Sequence, residues 1–81
     1  MLKTEFKQKM SEVLPSMSIM ETTEGALIGL IGNGLIFSIK LYEVNSFKIA
    51  SMLTHLSAVE WFLTCKLIKE FAHTPVEERE P

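Results

Sequence analysis

Glu24-Gly-Ala-Leu-Ile-Gly-Leu-Ile-Gly-Asn-Gly-Leu-Ile-Phe-Ser-Ile-Lys-Leu-Tyr-Glu43 is the stretch whose reading decides the fold of this 81-residue chain. Two apolar runs flank Asn33-Gly34. That dipeptide is the strongest short signal for a β-hairpin, because a type I′ turn needs positive φ at both central residues. Asn tolerates the left-handed region, and Gly has no Cβ to clash there. With those two as the loop, Gly32 faces Leu35, Leu30 faces Phe37, Ile28 faces Ile39 and Ala26 faces Leu41. Side chains alternate between faces along a strand, so this set shares one apolar side of the ribbon. Turn chemistry and hydrophobic pattern agree on a single register.

The other face, in that register, carries Gly25, Leu27, Gly29 and Ile31 on one strand and Ile36, Ser38, Lys40 and Tyr42 on the next. A solvated face of an antiparallel sheet is normally polar. Leu27, Ile31, Ile36 and Tyr42 break that rule and are the candidate interface residues. Two strands alone are marginally stable, and their open edges invite pairing with another chain. A homodimer that joins edges or stacks these faces is the economical expectation.

On the N-terminal side, residues 4–14 read as a short amphipathic helix. Thr4 is placed to cap it, Glu5 sits in the first turn where the helix dipole favours an acid, and Pro15 stops it. Leu2, Phe6, Met10 and Val13 recur at three- and four-residue spacing, a stripe suited to covering the apolar side of the hairpin. The segment 17–22 alternates weakly and fits a third strand.

On the C-terminal side, Asn45-Ser46 supplies a helix cap, and Phe47 to about Ala72 contains neither Pro nor Gly. Ile49, Leu53, Leu56, Leu63, Leu67 and Phe71 fall on one face of a helix. Phe47, Trp61, Phe62, Cys65 and Ile68 extend the apolar surface most of the way round, so such a helix is sandwiched or meets a partner. Trp61 and Phe62 therefore join the candidate interface residues. Ser57-Ala-Val-Glu60 matches a capping box and would break the segment into helices at 46–56 and 58–72. One continuous helix is the preferred reading. Pro75 ends it, and residues 74–81 read as a charged, frayed tail outside a single domain at 1–73. The fold class is thus α+β: an N-terminal helix, an antiparallel hairpin or three-stranded sheet, and a long C-terminal helix.

Composition narrows the function classes. The net charge is −2 from ten Glu, seven Lys and one Arg, and apolar residues make up 47%. Nucleic-acid binding is disfavoured, since phosphate neutralisation needs a basic stripe and only Lys3, Lys7 and Lys9 cluster, interrupted by Glu5. A single cysteine, Cys65, permits no internal disulfide and suits a reducing, cytoplasmic setting. The start of the chain lacks an apolar core of signal-peptide length. So small and apolar a domain is expected to leave greasy surface for a second chain or a membrane.

Chemistry is scarce. Gly29-Leu-Ile-Gly-Asn-Gly34 has the glycine density of a phosphate loop, but the order is wrong for a dinucleotide fingerprint and no Lys-Ser/Thr follows. Turn and close-packing glycine is the plain reading. His55 and His73 lie roughly five helical turns apart, too far to share a metal, and Cys65 sits on a different face. Glu60, near the apolar stripe, is explained by the capping box with Ser57. No catalytic residue, metal site or cofactor is expected, and an enzyme is the least favoured class. A membrane span is disfavoured because the uncharged run is short and is cut by Asn33.

The small Glu/Lys-rich domain ending Lys66-Leu-Ile-Lys-Glu-Phe-Ala-His-Thr-Pro-Val-Glu-Glu-Arg-Glu80 resembles accessory proteins carried by phages and prophages of Gram-positive bacteria. The resemblance covers the tail and transfers no functional residue. It implies action by binding a host protein, including inhibition of host defence. The leading expectation is accordingly a non-enzymatic, homodimeric protein that modulates or inhibits a protein partner. The alternatives are a small-molecule or nucleotide-sequestering protein, with its ligand at a dimer interface, and a small membrane-active protein of holin or toxin type.

Overall fold

The computed structural model describes residues 1–50 and 56–79. In chain order it contains α1 (Lys3–Val13), β1 (Ser18–Glu21), β2 (Ala26–Ile31), β3 (Gly34–Lys40), β4 (Phe47–Ile49), α2 (Ala58–His73) and a 3₁₀ turn at Val76–Glu78. The strands form one antiparallel sheet in the order β1-β2-β3-β4. This is an α+β arrangement, with the third strand in place and a fourth added.

The hairpin reverses one residue earlier than Asn33-Gly34. Ile31 pairs with Gly34, which leaves Gly32-Asn33 as the loop. Gly32 has φ +60, and Asn33 is not in the left-handed region. Glycine at the first central position is the signature of a type II′ turn, which matches strand twist as well as type I′ does. A one-residue slip moves every side chain of a strand to the other face. Leu27, Gly29 and Ile31 therefore turn inward, and Ala26, Ile28 and Leu30 outward.

A β-bulge then repairs the phase of β3. Leu30 pairs with Leu35 but Gly29 pairs with Phe37, so Ile36 is the extra residue. Without it, Ser38 and Lys40 would face the core. With it, Phe37, Ile39 and Leu41 are buried, and so is Ile36. Gly29 is required beneath Phe37, since a Cβ there would run into the ring. That close approach explains a glycine in the middle of a strand.

Both helices pack on this inner face. Phe6 and Met10 of α1 and Ile68, Phe71 and Ala72 of α2 join Leu27, Ile36, Phe37, Ile39 and Leu41 in one core. Phe6 links the layers, stacked on Phe71 at 4.8 Å and edge-on to Phe37 at 5.7 Å between ring centroids. Lys3 and Lys7 reach Glu21 on β1 at 2.6 and 3.9 Å, fastening α1 to the sheet edge. The hydrogen bond from Lys3, reinforced by the charges of both lysines, holds the Glu21 carboxyl below its ordinary range. The helix begins at Lys3 rather than being capped by Thr4; the Glu5 carboxylate instead accepts from the Leu2 amide at 3.4 Å.

The continuous helix expected from Phe47 onward is not formed. Asn45 takes positive φ (59) and acts as a turn residue, after which Phe47 and Ile49 face inward and Lys48 outward as β4. The capping box begins α2: Glu60 N–H donates to Ser57 Oγ at 3.1 Å, and Ser57 N–H donates to Glu60 Oε1 at 2.9 Å. An α-helical period and a short strand share apolar positions, and here tertiary pairing selected the strand.

The tail is also corrected. Arg79, expected to be frayed, is 1% exposed. Its guanidinium donates to the carbonyls of Thr74, Lys40, Leu41, Glu43 and Ala72 at 2.8–3.1 Å and lies 5.1 Å from the Phe71 ring centroid. Lys3 N–H donates to the Arg79 carbonyl at 2.6 Å. One side chain thus ties the C-terminus of α2 to the β3–β4 connection, and its backbone ties in α1. A planar fork of five N–H donors suits this task, and the carbonyls at the negative end of α2 favour a cation. Burial pushes the guanidinium pKa down from its ordinary value.

Candidate interaction surface

The groups with catalytic or ligating chemistry are dispersed. His73 is exposed, with Nδ1 2.9 Å from Asn45 Oδ1. Cys65 is half-buried. Glu60 is engaged in its capping box. His55 lies outside the described residues. Among the described residues no group of three or more His, Cys, Asp or Glu is placed to hold a metal ion. Among them, too, no helix is long and apolar enough to cross a membrane. The Gly29–Gly34 run is a strand and turn, its glycines spent on Phe37 packing and chain reversal.

What the fold does present is a sheet with both helices on one side. The register places Ser18, Met20, Ala26, Ile28, Leu30, Leu35, Ser38, Lys40 and Lys48 on the opposite face. These residues are sorted into corners. Cross-strand neighbours Met20 and Ile28, and Leu30 and Leu35, form an apolar patch over β1, β2 and the hairpin end. Met20 is 50% and Leu35 49% exposed, while Ile28 and Leu30 are half-buried. Beside the patch, with Ser38 directly opposite Ile28, the residues Ser38, Lys40, Ser46, Phe47 and Lys48 line a shallow depression along β3 and β4. Tyr42, 72% exposed, lies against Gly25 beside Lys40.

The interface residues expected from sequence are scattered by the change of register. Leu27 and Ile36 are fully buried in the core and are corrected from surface to interior. Ile31 is half-buried and packs against that core. Tyr42 is on the surface. Trp61 is half-buried, and Phe62 stands 66% exposed on α2 beside exposed Val59 and Leu63. Val59, Phe62 and Leu63 follow i, i+3, i+4 spacing, a second outward apolar stripe on the helical side. The sheet residues that are in fact outward and apolar, Ile28, Leu30 and Leu35, were read as covered. The signal that would have found them is Gly32-Asn33, since Gly-Asn also closes two-residue hairpins.

No protein-family model, curated protein or solved structure matches this chain.

Proposed function

We propose that this chain is a small non-enzymatic binding protein that forms a homodimer through the open face of its sheet and acts on a protein partner. The observation that carries this reading is the apolar patch of Met20, Ile28, Leu30 and Leu35 on a sheet face that both helices leave uncovered. A two-fold axis through such a patch sets it against its own copy, the self-complementary arrangement that most homodimers use. Burial of that patch also supplements the thin core of an 81-residue chain. The Val59, Phe62 and Leu63 stripe lies on the helical layer, stays outward in this dimer, and is the surface offered to the partner. Action as an inhibitor of a host protein, which the phage-protein resemblance implies, belongs to the same proposal.

Light scattering after size exclusion tests it. The wild-type chain is expected to elute as a dimer, and Ile28→Lys with Leu30→Lys as a folded monomer with an unchanged far-UV spectrum. Phe62→Ser is expected to remain dimeric. A monomeric wild type overturns the dimer, and loss of dimer in Phe62→Ser alone moves the interface to α2.

A further inference from the structure

The two edges of the sheet are built differently. β4 is three residues long and carries Lys48, a charge of the kind that discourages a further strand from pairing. β1 runs Ser18-Ile-Met-Glu21 with neither Pro nor Lys, and it pairs with β2 without a bulge. Its one charge, Glu21, is held by Lys3 at 2.6 Å. The direction of its backbone groups follows from the ladder. Thr22 N–H donates to the Ala26 carbonyl at 2.8 Å, so the alternate residues Met20 and Ser18 also turn their N–H and C=O toward β2. Ile19 and Glu21 therefore aim theirs away from the sheet, on a side where no described strand lies.

The apolar part of the open face borders this unguarded edge. Met20 stands on β1 itself, with Ile28 and Leu30 next to it on β2, whereas Ser38, Lys40 and Lys48 lie on β3 and β4. A second copy joined along β1 would place apolar strands at the centre of a wider face and polar strands at its two ends. An apolar centre with a polar rim is the usual anatomy of a protein interface.

We infer that β1 pairs antiparallel with β1 of a second copy, about a two-fold axis at Met20, to make one sheet continuous across two protomers. In that register Ile19 and Glu21 of one chain exchange bonds with Glu21 and Ile19 of the other, so every outward N–H and C=O of the strand is used. Centring on Ile19 instead would set Glu21 opposite Met17, whose amide is already given to the Leu14 carbonyl. The contact uses the edge and leaves the open face free, so it goes beyond the stacked dimer and does not depend on it. Edge-joined pairs double the apolar face available for stacking, and the two contacts together close as a tetramer of D2 symmetry. Four backbone bonds between short strands bury little area, so the edge fills at higher protein concentration than the stacked faces.

Amide hydrogen exchange on the full-length protein over a concentration series, with light scattering on the same samples, tests the pairing. Exchange at Ile19 and Glu21 should slow about tenfold or more as concentration rises, together with growth in mass beyond the dimer. Glu21→Pro removes an outward donor but no bond to β2, and should abolish the protection of Ile19. Glu21→Gln, which loses only the ion pair, should keep it. Met20→Cys in a Cys65→Ser background should oxidise to a covalent dimer, because directly opposed residues at such a position lie about 4.5 Å apart between Cα atoms. Stacked sheets, about 10 Å apart, do not form that link. Ser18→Cys, remote from its own copy in this register, should stay unlinked. Free exchange of Ile19 and Glu21 at every concentration, or equal linking by both cysteine variants, overturns the edge contact and leaves the stacked dimer standing. Concentration-dependent protection in a chain that never exceeds a dimer keeps the edge contact and overturns the stacking.

Discussion

The two faces of the sheet are made from the same strands and nearly the same residue types, yet they have opposite fates. Leu27, Phe37 and Ile39 on one face are sealed under Phe6, Met10, Ile68 and Phe71. Ile28, Leu30 and Leu35, on the same two strands, lie on the face with neither helix. Composition did not separate them. A type II′ turn and one bulge did, by deciding which alternate set meets the helices. An apolar residue on a strand thus marks structure or binding only once its phase is known.

The largest effect that would break this contrast is a cavity on the sealed side. Phe37→Ala removes the ring that covers Gly29 and contacts Phe6, and should cost about 3–5 kcal/mol in urea unfolding, whereas Leu35→Ala on the open face should cost within about 1 kcal/mol. Equal costs would mean that the open face is also core.

Arg79 holds the sealed side together from its edge. Arg79→Ala should destabilise by about 2–4 kcal/mol, because the buried carbonyls of Thr74 and Leu41 lose the guanidinium donor and that of Ala72 keeps only the Asn45 amide. Arg79→Lys should recover only part of this, since an ammonium cannot span the same carbonyls as a fork. Full recovery by Lys would show that charge at the end of α2, not the fork, is what matters.

Smaller again is the cap that starts the covering helix. Ser57→Ala should cost about 1 kcal/mol and lower helicity at the start of α2. The smallest effect is acid-dependent. Glu21 binds Lys3 and has a lowered pKa, so its contribution is complete above the ordinary value of 4.5 and is lost as pH falls through the lower folded value. Glu21→Gln should flatten that part of the stability–pH curve, and it sharpens the comparison because this ion pair fastens α1 to the sealed face alone.

Local chemistry alone determined the hairpin's existence and the α1 stripe of Phe6 and Met10, and it offered Ser57 with Glu60 as a capping pair, though the absence of Pro and Gly favoured a continuous helix through them. These depend on neighbours within a few residues, where spacing carries the information. The hairpin's register was not legible, because Gly32-Asn33 and Asn33-Gly34 both satisfy turn chemistry and a bulge leaves no local mark. The observed register is the one that seats Phe37 over Gly29. That β4 is a strand was equally hidden, since Phe47 and Ile49 suit either period until β3 offers them a ladder. The same holds for Arg79: nothing near it in sequence explains its burial, because carbonyls at residues 40, 41 and 43 reach it only after the sheet and α2 have come together. The candidate surfaces inherit that dependence. Tyr42 and Phe62 could be named from sequence, but the apolar patch exists only as cross-strand neighbours, and tertiary pairing decides who those neighbours are.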